Sequence, residues 1–141
     1  RFLAELRESL NTLENPVERL ALYVRTQVED LSRRHLPPGP AMAAVLSPSS
    51  FAKLAGHVGE LSVLLQGILR DAMAQGYLPQ ADIGQQAQLI HGTLSSSAAR
   101  GSNEPADLEA RAARTVRFIQ LGAGARFDHD GAPLRASLPL T

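Results

Sequence analysis

The chain has 141 residues, the length of a single domain that can bury a sizeable core. Its 14 basic and 14 acidic residues cancel, so it lacks the positive excess of a nucleic-acid-binding surface. The absence of cysteine excludes disulfides and thiolate metal sites. No apolar run approaches the ~20 residues that span a bilayer, and no signal peptide is visible. We therefore expect a cytoplasmic protein without a membrane partner.

The first two predicted helices follow from leucine spacing and capping residues. Leucines recur at helical spacing over residues 1–13, and no capping residue precedes them. We therefore expect the chain to begin inside a helix and to be preceded by a further segment. The second predicted helix covers residues 16–35, with Asn15 as its N-cap and Pro16 at its first position.

A short helix over residues 40–46 and a long one over residues 48–75 are predicted next. The long helix carries a wide apolar stripe, which favours contacts on more than one side. Gly76 suits its C-terminal cap, because glycine adopts the left-handed conformation required there.

Two further helices complete the predicted bundle. The fifth follows Asp82 as N-cap and runs to about residue 99, and the sixth covers residues 105–121 and closes at Gly122. Residues 127–141 show no period, so we expect an extended or poorly ordered tail and no strand pair. The prediction is one domain over residues 1–126 followed by this tail.

No motif in the chain specifies chemistry. Ser95 and its neighbours lie near His91 in sequence, but there is no strand to carry a nucleophile elbow, so we interpret them as small packing residues. His57 with Glu60, and the Asp-His-Asp-Gly run at 128–131, are interpreted as solvated side chains, because each lacks further metal ligands. No catalytic site, metal site or cofactor is therefore predicted.

Several polar residues on the predicted core helices leave two interpretations open. Each is either a hydrogen-bonded core side chain or a polar contact in a mostly apolar ligand pocket. They are Tyr23, Gln27, His57, Gln66 and His91.

The fifth helix also presents a face of small side chains. Gly92, Ser95, Ser96 and Ala99 recur at three- to four-residue spacing and would let another helix approach closely. That helix belongs either to the same chain or to a second copy.

The order and spacing of these elements resemble the C-terminal effector domain of the tetracycline-repressor-like (TetR) family of transcription regulators. The resemblance covers about residues 15–124. It is carried by Asn15-Pro16-x-Glu18-Arg19-Leu20, the long fourth helix, Gly76-Tyr77-Leu78-x-x-x-Asp82, Leu89-Ile90-x-Gly92 and Ala112-x-x-Thr115-Val116-x-Phe118-Ile119-x-x-Gly122.

The resemblance implies an all-α, antiparallel bundle of about six helices that senses a ligand and dimerises. The last two long helices of each copy would form a four-helix bundle in a homodimer. A cavity among the middle helices would hold a small hydrophobic or aromatic effector. Operator DNA would be bound only through an N-terminal helix-turn-helix domain that has no counterpart here. Residues 1–13 would link that domain to the body, and such regulators are usually repressors.

Residues for both proposed surfaces follow from position in this pattern. The expected pocket lining is Tyr23, Val24, Gln27, His57, Leu61, Leu64 and Leu94. The expected dimer interface is Leu89, Gly92, Ser96, Val116, Ile119 and Gln120.

Two other functions compete with this interpretation. A helical protein-interaction or scaffold module would have no small-molecule ligand, and a packed centre without a cavity would favour it. A small helical enzyme or metal carrier would need a converging cluster of His, Asp and Glu, which the sequence does not supply.

Overall fold

The computed structural model describes residues 2–34, 48–98 and 104–135, without the side chains of 32–34, 48–58 and 98. These parts contain helices α1 (Phe2–Leu10), α2 (Pro16–Arg34), α3 (Pro48–Ala74), α4 (Ile83–Ala98) and α5 (Pro105–Gly122). A short hairpin follows, with strands β1 (Arg126–Phe127) and β2 (Pro133–Leu134). The mostly helical fold is confirmed, whereas the predicted helix over residues 40–46 lies outside the described residues.

Two helices, α2 and α4, begin at side-chain caps that were predicted from the sequence. Asn15 Oδ1 accepts the backbone N–H of Val17 at 2.8 Å, at the start of α2. Asp82 Oδ1 accepts the backbone N–H of Gln85 at 3.0 Å, at the start of α4. Each bond satisfies a donor that has no partner within the helix, which fixes where that helix starts.

Two helices end in the same glycine-based cap. After α3, Gly76 has a φ of 85°, and the N–H of Tyr77 bonds to the carbonyl of Ala72 at 2.9 Å. After α5, Gly124 has a φ of 99°, and the N–H of Ala125 bonds to the carbonyl of Gln120 at 2.9 Å. Both are Schellman caps, in which the left-handed glycine lets the chain turn back on the helix end.

Helix α2 is the element around which the others pack. It contacts α1, α3, α4 and α5, and the side chains of Leu20, Val24 and Val28 on it are fully buried. Arg19 of α2 approaches Asp71 of α3. Tyr23 lies four residues further along α2, and its hydroxyl reaches the carbonyl of Leu61, which comes earlier in α3. Residue numbers rise along α2 as they fall along α3, so these two helices run antiparallel.

The prediction that the C-terminal tail forms no strand pair was wrong. Arg126 and Phe127 pair antiparallel with Leu134 and Pro133. Asp128 Oδ1 closes the turn by accepting the backbone N–H groups of Asp130 at 2.8 Å and Ala132 at 2.9 Å. Strands of two residues are too short to show a period in sequence, which is why the hairpin was missed.

The hairpin packs against the helical body through two arginines. The Arg117 guanidinium on α5 lies 4.7 Å from the centre of the Phe127 ring, a cation–π contact. Arg135 Nε donates to the carbonyl of Gln75 at 2.8 Å, beside the end of α3. Residues 126–135 therefore belong to the packed structure, and residues 136–141 lie outside the described part.

Replacing Gly124 with alanine tests the second glycine cap. The new Cβ would lie 2.5 Å from Pro79 Cδ. The positive φ of Gly124, 99°, is also unfavourable for any residue with an L side chain. We expect a loss of about 2–4 kcal/mol in the free energy of unfolding, measured with urea. The control is Gly131→Ala, where φ is also positive but no atom lies within 4 Å of the new Cβ. Equal losses in both variants would contradict the contact with Pro79.

Candidate ligand pocket and association surface

Tyr23 joins three helices inside the core. Its side chain is fully buried, and its hydroxyl oxygen lies 3.1 Å from the carbonyl oxygen of Leu61 on α3 and 2.8 Å from Nε2 of His91 on α4. Burial raises the pKa of Tyr23, so the hydroxyl keeps its proton at neutral pH. When that proton goes to the Leu61 carbonyl, His91 must donate from Nε2 to the Tyr23 oxygen.

His91 stands between this buried contact and an open groove. Burial lowers the pKa of His91 from 6.5, so the imidazole is neutral at neutral pH. The same residue lines a groove of about 570 Å³ between α3 and α4, together with Ser62, Gln66 and Gln88. The buried hydroxyl of Tyr23 therefore sets the orientation of a side chain that reaches the groove.

The expected pocket residues lie mainly in one place. Tyr23, Val24, Leu61 and Leu94 belong to the same buried apolar cluster, and Leu64 packs against it half-buried. The side chain of His57 lies outside the described residues. The expected residues of α2, α3 and α4 therefore lie in the packed core, and the groove beside His91 is lined by none of them.

Gln27 is a buried polar residue of α2 beside this cluster. Its side chain is only 5% exposed, and its Nε2 has no hydrogen-bond partner among the described residues. Buried amide groups in native proteins almost always have a partner. The sequence placed Gln27 on the core side of α2, but no pattern in it could show that the amide lacks an acceptor.

A second candidate surface lies on the outer side of α4 and α5. Leu89, Phe118 and Leu121 are 62%, 65% and 55% exposed, which is unusual for large apolar side chains. A groove of about 610 Å³ runs between Leu89, Gly92, Ser96 and Phe118. No atom lies within 4 Å of a Cβ built on Gly92, so the groove is open above it. We call Leu89, Gly92, Ser96, Phe118 and Leu121 together the α4–α5 face.

The expected interface residues divide between this face and the interior. Leu89, Gly92 and Ser96 line the groove, and Val116 is half-buried against the core. Ile119 and Gln120 lie inside the chain, 4% and 8% exposed. The Gln120 Nε2 donates to the carbonyl of Val17 on α2 at 3.5 Å.

Phe118 and Leu121 are not among the expected interface residues, and the structure places both on the outer face. Helical spacing places Arg114, Phe118 and Leu121 on one face of α5, and this spacing is the sequence signal that could have identified the exposed face.

The described residues contain no group of three or more His, Asp or Glu side chains placed to hold a metal ion. None of the described helices is both long and apolar enough to cross a membrane.

Removing the Tyr23 hydroxyl tests the contact that joins α2, α3 and α4. We expect Tyr23→Phe to lower the free energy of unfolding by about 1–2 kcal/mol, because a buried hydrogen-bonding group of His91 loses its partner. The control is Tyr77→Phe, since the contact described for Tyr77 is made by its ring with Arg135. Urea unfolding of both variants provides the measurement, and equal effects would contradict a specific role for the Tyr23 hydroxyl.

The lowered pKa of His91 predicts a dependence of stability on pH. As the pH falls below 6.5, the unfolded chain takes up a proton at this histidine before the folded chain does. The contribution of His91 to stability is therefore fully present above pH 6.5. It is lost as the pH falls from 6.5 to the lower pKa that His91 has in the folded chain.

His91→Gln should remove this part of the pH dependence, as measured by urea unfolding on both sides of pH 6.5. The matched control is His129→Gln, because His129 is 91% exposed in the hairpin turn and should leave the dependence unchanged. A wild-type slope in His91→Gln would show that His91 is not the group responsible.

Comparisons with protein-family models, curated proteins and solved structures found no match to the chain. The resemblance to the TetR family therefore stays a prediction. The buried cluster around Tyr23 and the α4–α5 face are the features from which a function can be proposed.

Proposed function

We propose that this chain is the ligand-sensing and dimerisation domain of a TetR-like transcriptional regulator. The observation that carries the proposal is the α4–α5 face. It exposes Leu89, Phe118 and Leu121 on the last two helices, where such a domain would pair with a second copy. Contiguous exposed apolar side chains of this size mark a surface that is covered by a partner.

The α4–α5 face has the shape that symmetric pairing requires. In a two-fold dimer, the same surface of each copy contacts the other, so projections and hollows must occur together on that surface. Phe118 projects from α5, and the open space above Gly92 lies beside it on α4. Two copies can therefore exchange Phe118 side chains into the hollows, and their four helices form a bundle.

The buried cluster around Tyr23 supports the ligand-sensing half of the proposal. Pockets for small molecules are mostly apolar, with a few polar groups that fix orientation. Tyr23, Gln27 and His91 supply such groups among apolar neighbours on three helices. A small hydrophobic or aromatic effector fits this composition.

Helix packing suggests how a ligand would act on DNA binding. Helix α1 packs on α2, and α2 is joined through Tyr23 to α3 and α4. A ligand that favours one arrangement of these helices shifts the population towards it and moves α1 with α2. Helix α1 would lead to an N-terminal helix-turn-helix domain, and the shift would change the spacing of two such domains on operator DNA. A cytoplasmic location accords with this role.

The same exposed face and the packed core around Tyr23 favour a second candidate function, a helical interaction module without a small-molecule ligand. In that case the α4–α5 face would bind a different protein and the chain alone would remain monomeric. Self-association therefore separates the two functions.

Sedimentation equilibrium of the chain and two variants tests the proposed dimer. We expect the wild type to form a dimer and Phe118→Ser to weaken it about 30-fold, because a central aromatic side chain is lost from an interface core. Gly92→Leu should also weaken the dimer by filling the hollow.

The control for this experiment is Val63→Ser. Val63 is 68% exposed on α3, away from the α4–α5 face, so its loss should leave the dimer unchanged. A wild-type chain that stays monomeric, or a dimer that tolerates both Phe118→Ser and Gly92→Leu, would contradict the proposal.

A further inference from the structure

The groove between α3 and α4 has no role in the proposed function. Its volume of about 570 Å³ lies within the range of sites that hold small molecules. Helix α3 lines it with Ser62 and Gln66, and α4 lines it with Gln85, Gln88 and His91. Ser62 and Gln66 are four residues apart, and Gln88 and His91 are three apart, so each helix turns a polar face to the groove.

The contact with Tyr23 leaves His91 with one unprotonated ring nitrogen. The Tyr23 hydroxyl has a single proton, and its oxygen lies 3.1 Å from the carbonyl oxygen of Leu61 and 2.8 Å from Nε2 of His91. Both contacts are hydrogen bonds only when Tyr23 donates to Leu61 and His91 donates from Nε2 to the Tyr23 oxygen. Burial lowers the pKa of His91, so the imidazole is neutral and its Nδ1 carries a lone pair without a proton.

The groove is the place from which a donor can reach Nδ1. The two nitrogens of an imidazole point in different directions, so Nδ1 points away from the buried hydroxyl that Nε2 contacts. His91 is half-buried and lines the groove. The backbone N–H groups inside a helix are already bonded to backbone carbonyls. A donor for Nδ1 therefore has to come from another side chain, from water or from a ligand.

The other lining groups restrict the charge of a ligand. Among the described residues that line the groove, none is lysine, arginine or aromatic, and Asp82 is the one acidic residue. An anionic ligand would find no cation there and would face the Asp82 carboxylate, which caps α4. A ligand whose polar atoms are all carbonyl oxygens could not donate to Nδ1 of His91.

Hydroxyl groups match the lining best. The carboxamides of Gln85 and Gln88 are exposed to solvent, and each offers both donors and an acceptor. A protonated amine only donates, so it would leave the carboxamide N–H groups without a partner in the ligand. A hydroxyl both donates and accepts, so it can bond to a carboxamide in either direction and can also donate to Nδ1.

We propose that the groove between α3 and α4 binds an uncharged ligand with several neighbouring hydroxyl groups. One hydroxyl donates to Nδ1 of His91, and another bonds to the carboxamide of Gln88, which is close enough on α4 for one small molecule to reach both. This polar site is separate from the apolar cluster that we propose for a hydrophobic effector, and it does not depend on the dimer.

The first test measures the protonation of the His91 ring without a ligand. Long-range ¹H–¹⁵N spectra above pH 6.5 should show His91 almost entirely with its proton on Nε2 and none on Nδ1. The His91 signals are assigned by their loss in His91→Gln. In Tyr23→Phe the ring should exchange between both forms, because Nε2–H has lost its acceptor. A proton on Nδ1 in the wild type would overturn the inference.

The second test compares myo-inositol, which has a hydroxyl on every ring carbon, with cyclohexanol, which has the same ring and one hydroxyl. We expect myo-inositol to bind the wild-type chain with a Kd of about 1 mM. It should shift the His91 Nδ1 resonance towards that of a protonated nitrogen and shift the side-chain amide signals of Gln88. Cyclohexanol should bind at least about tenfold more weakly. Equal binding of the two probes, or no shift with myo-inositol, would overturn the inference.

Variants on both walls of the groove locate the site. Gln88→Leu on α4 and Gln66→Leu on α3 should each weaken myo-inositol binding about tenfold. The matched control is Gln86→Leu, the same change on α4 at a residue that does not line the groove, and it should leave the affinity unchanged. Unchanged affinity in both Gln66→Leu and Gln88→Leu would place any binding elsewhere and overturn the inference.

Discussion

The hydroxyl group of Tyr23 is the contact on which the interior of this molecule depends. It is fully buried, and it joins α2 to the carbonyl of Leu61 on α3 and to the imidazole of His91 on α4. The free energy of apolar burial has no direction, so by itself it specifies the relative rotation of these helices less sharply than a hydrogen bond does. A directional polar contact in a buried place removes that freedom, since any shift leaves polar groups without partners.

Helix α4 connects this interior to the outer surface. Its inner side contributes Ile90, His91 and Leu94 to the core region, and its outer side contributes Leu89 and Gly92 to the α4–α5 face. If a ligand bound beside Tyr23 as proposed, a rotation of α4 that accommodates it would also move the residues proposed to meet a second copy. Ligand binding and dimer geometry would then be coupled through one rigid helix, in keeping with allostery between distinct sites.

Local chemistry made much of the fold predictable from the sequence. Asn15, Asp82 and Gly76 each act on the backbone within a few residues, so their positions alone indicated where helices start and stop. Contacts between distant segments were not predictable in this way. Tyr23 and His91 are 68 residues apart, and no spacing rule relates them.

Neighbouring residues of α5 can differ completely in exposure. Ile119 is buried, whereas the adjacent Phe118 is exposed, because one residue turns the side chain by about 100° around a helix. The periodicity located the face of α5 only to within one position. Whether the Gln27 amide has an acceptor among the described residues depends on all the neighbouring elements together and required the three-dimensional structure.

An isotope-filtered nuclear Overhauser experiment tests the central claim most directly. One copy of the chain would carry ¹³C and ¹⁵N and its partner neither label, so that only contacts between copies are detected. The account predicts cross-peaks between the Phe118 ring of one copy and the Gly92 α-protons of the other. Contacts between copies that involve other surfaces, with none at Phe118, would contradict it.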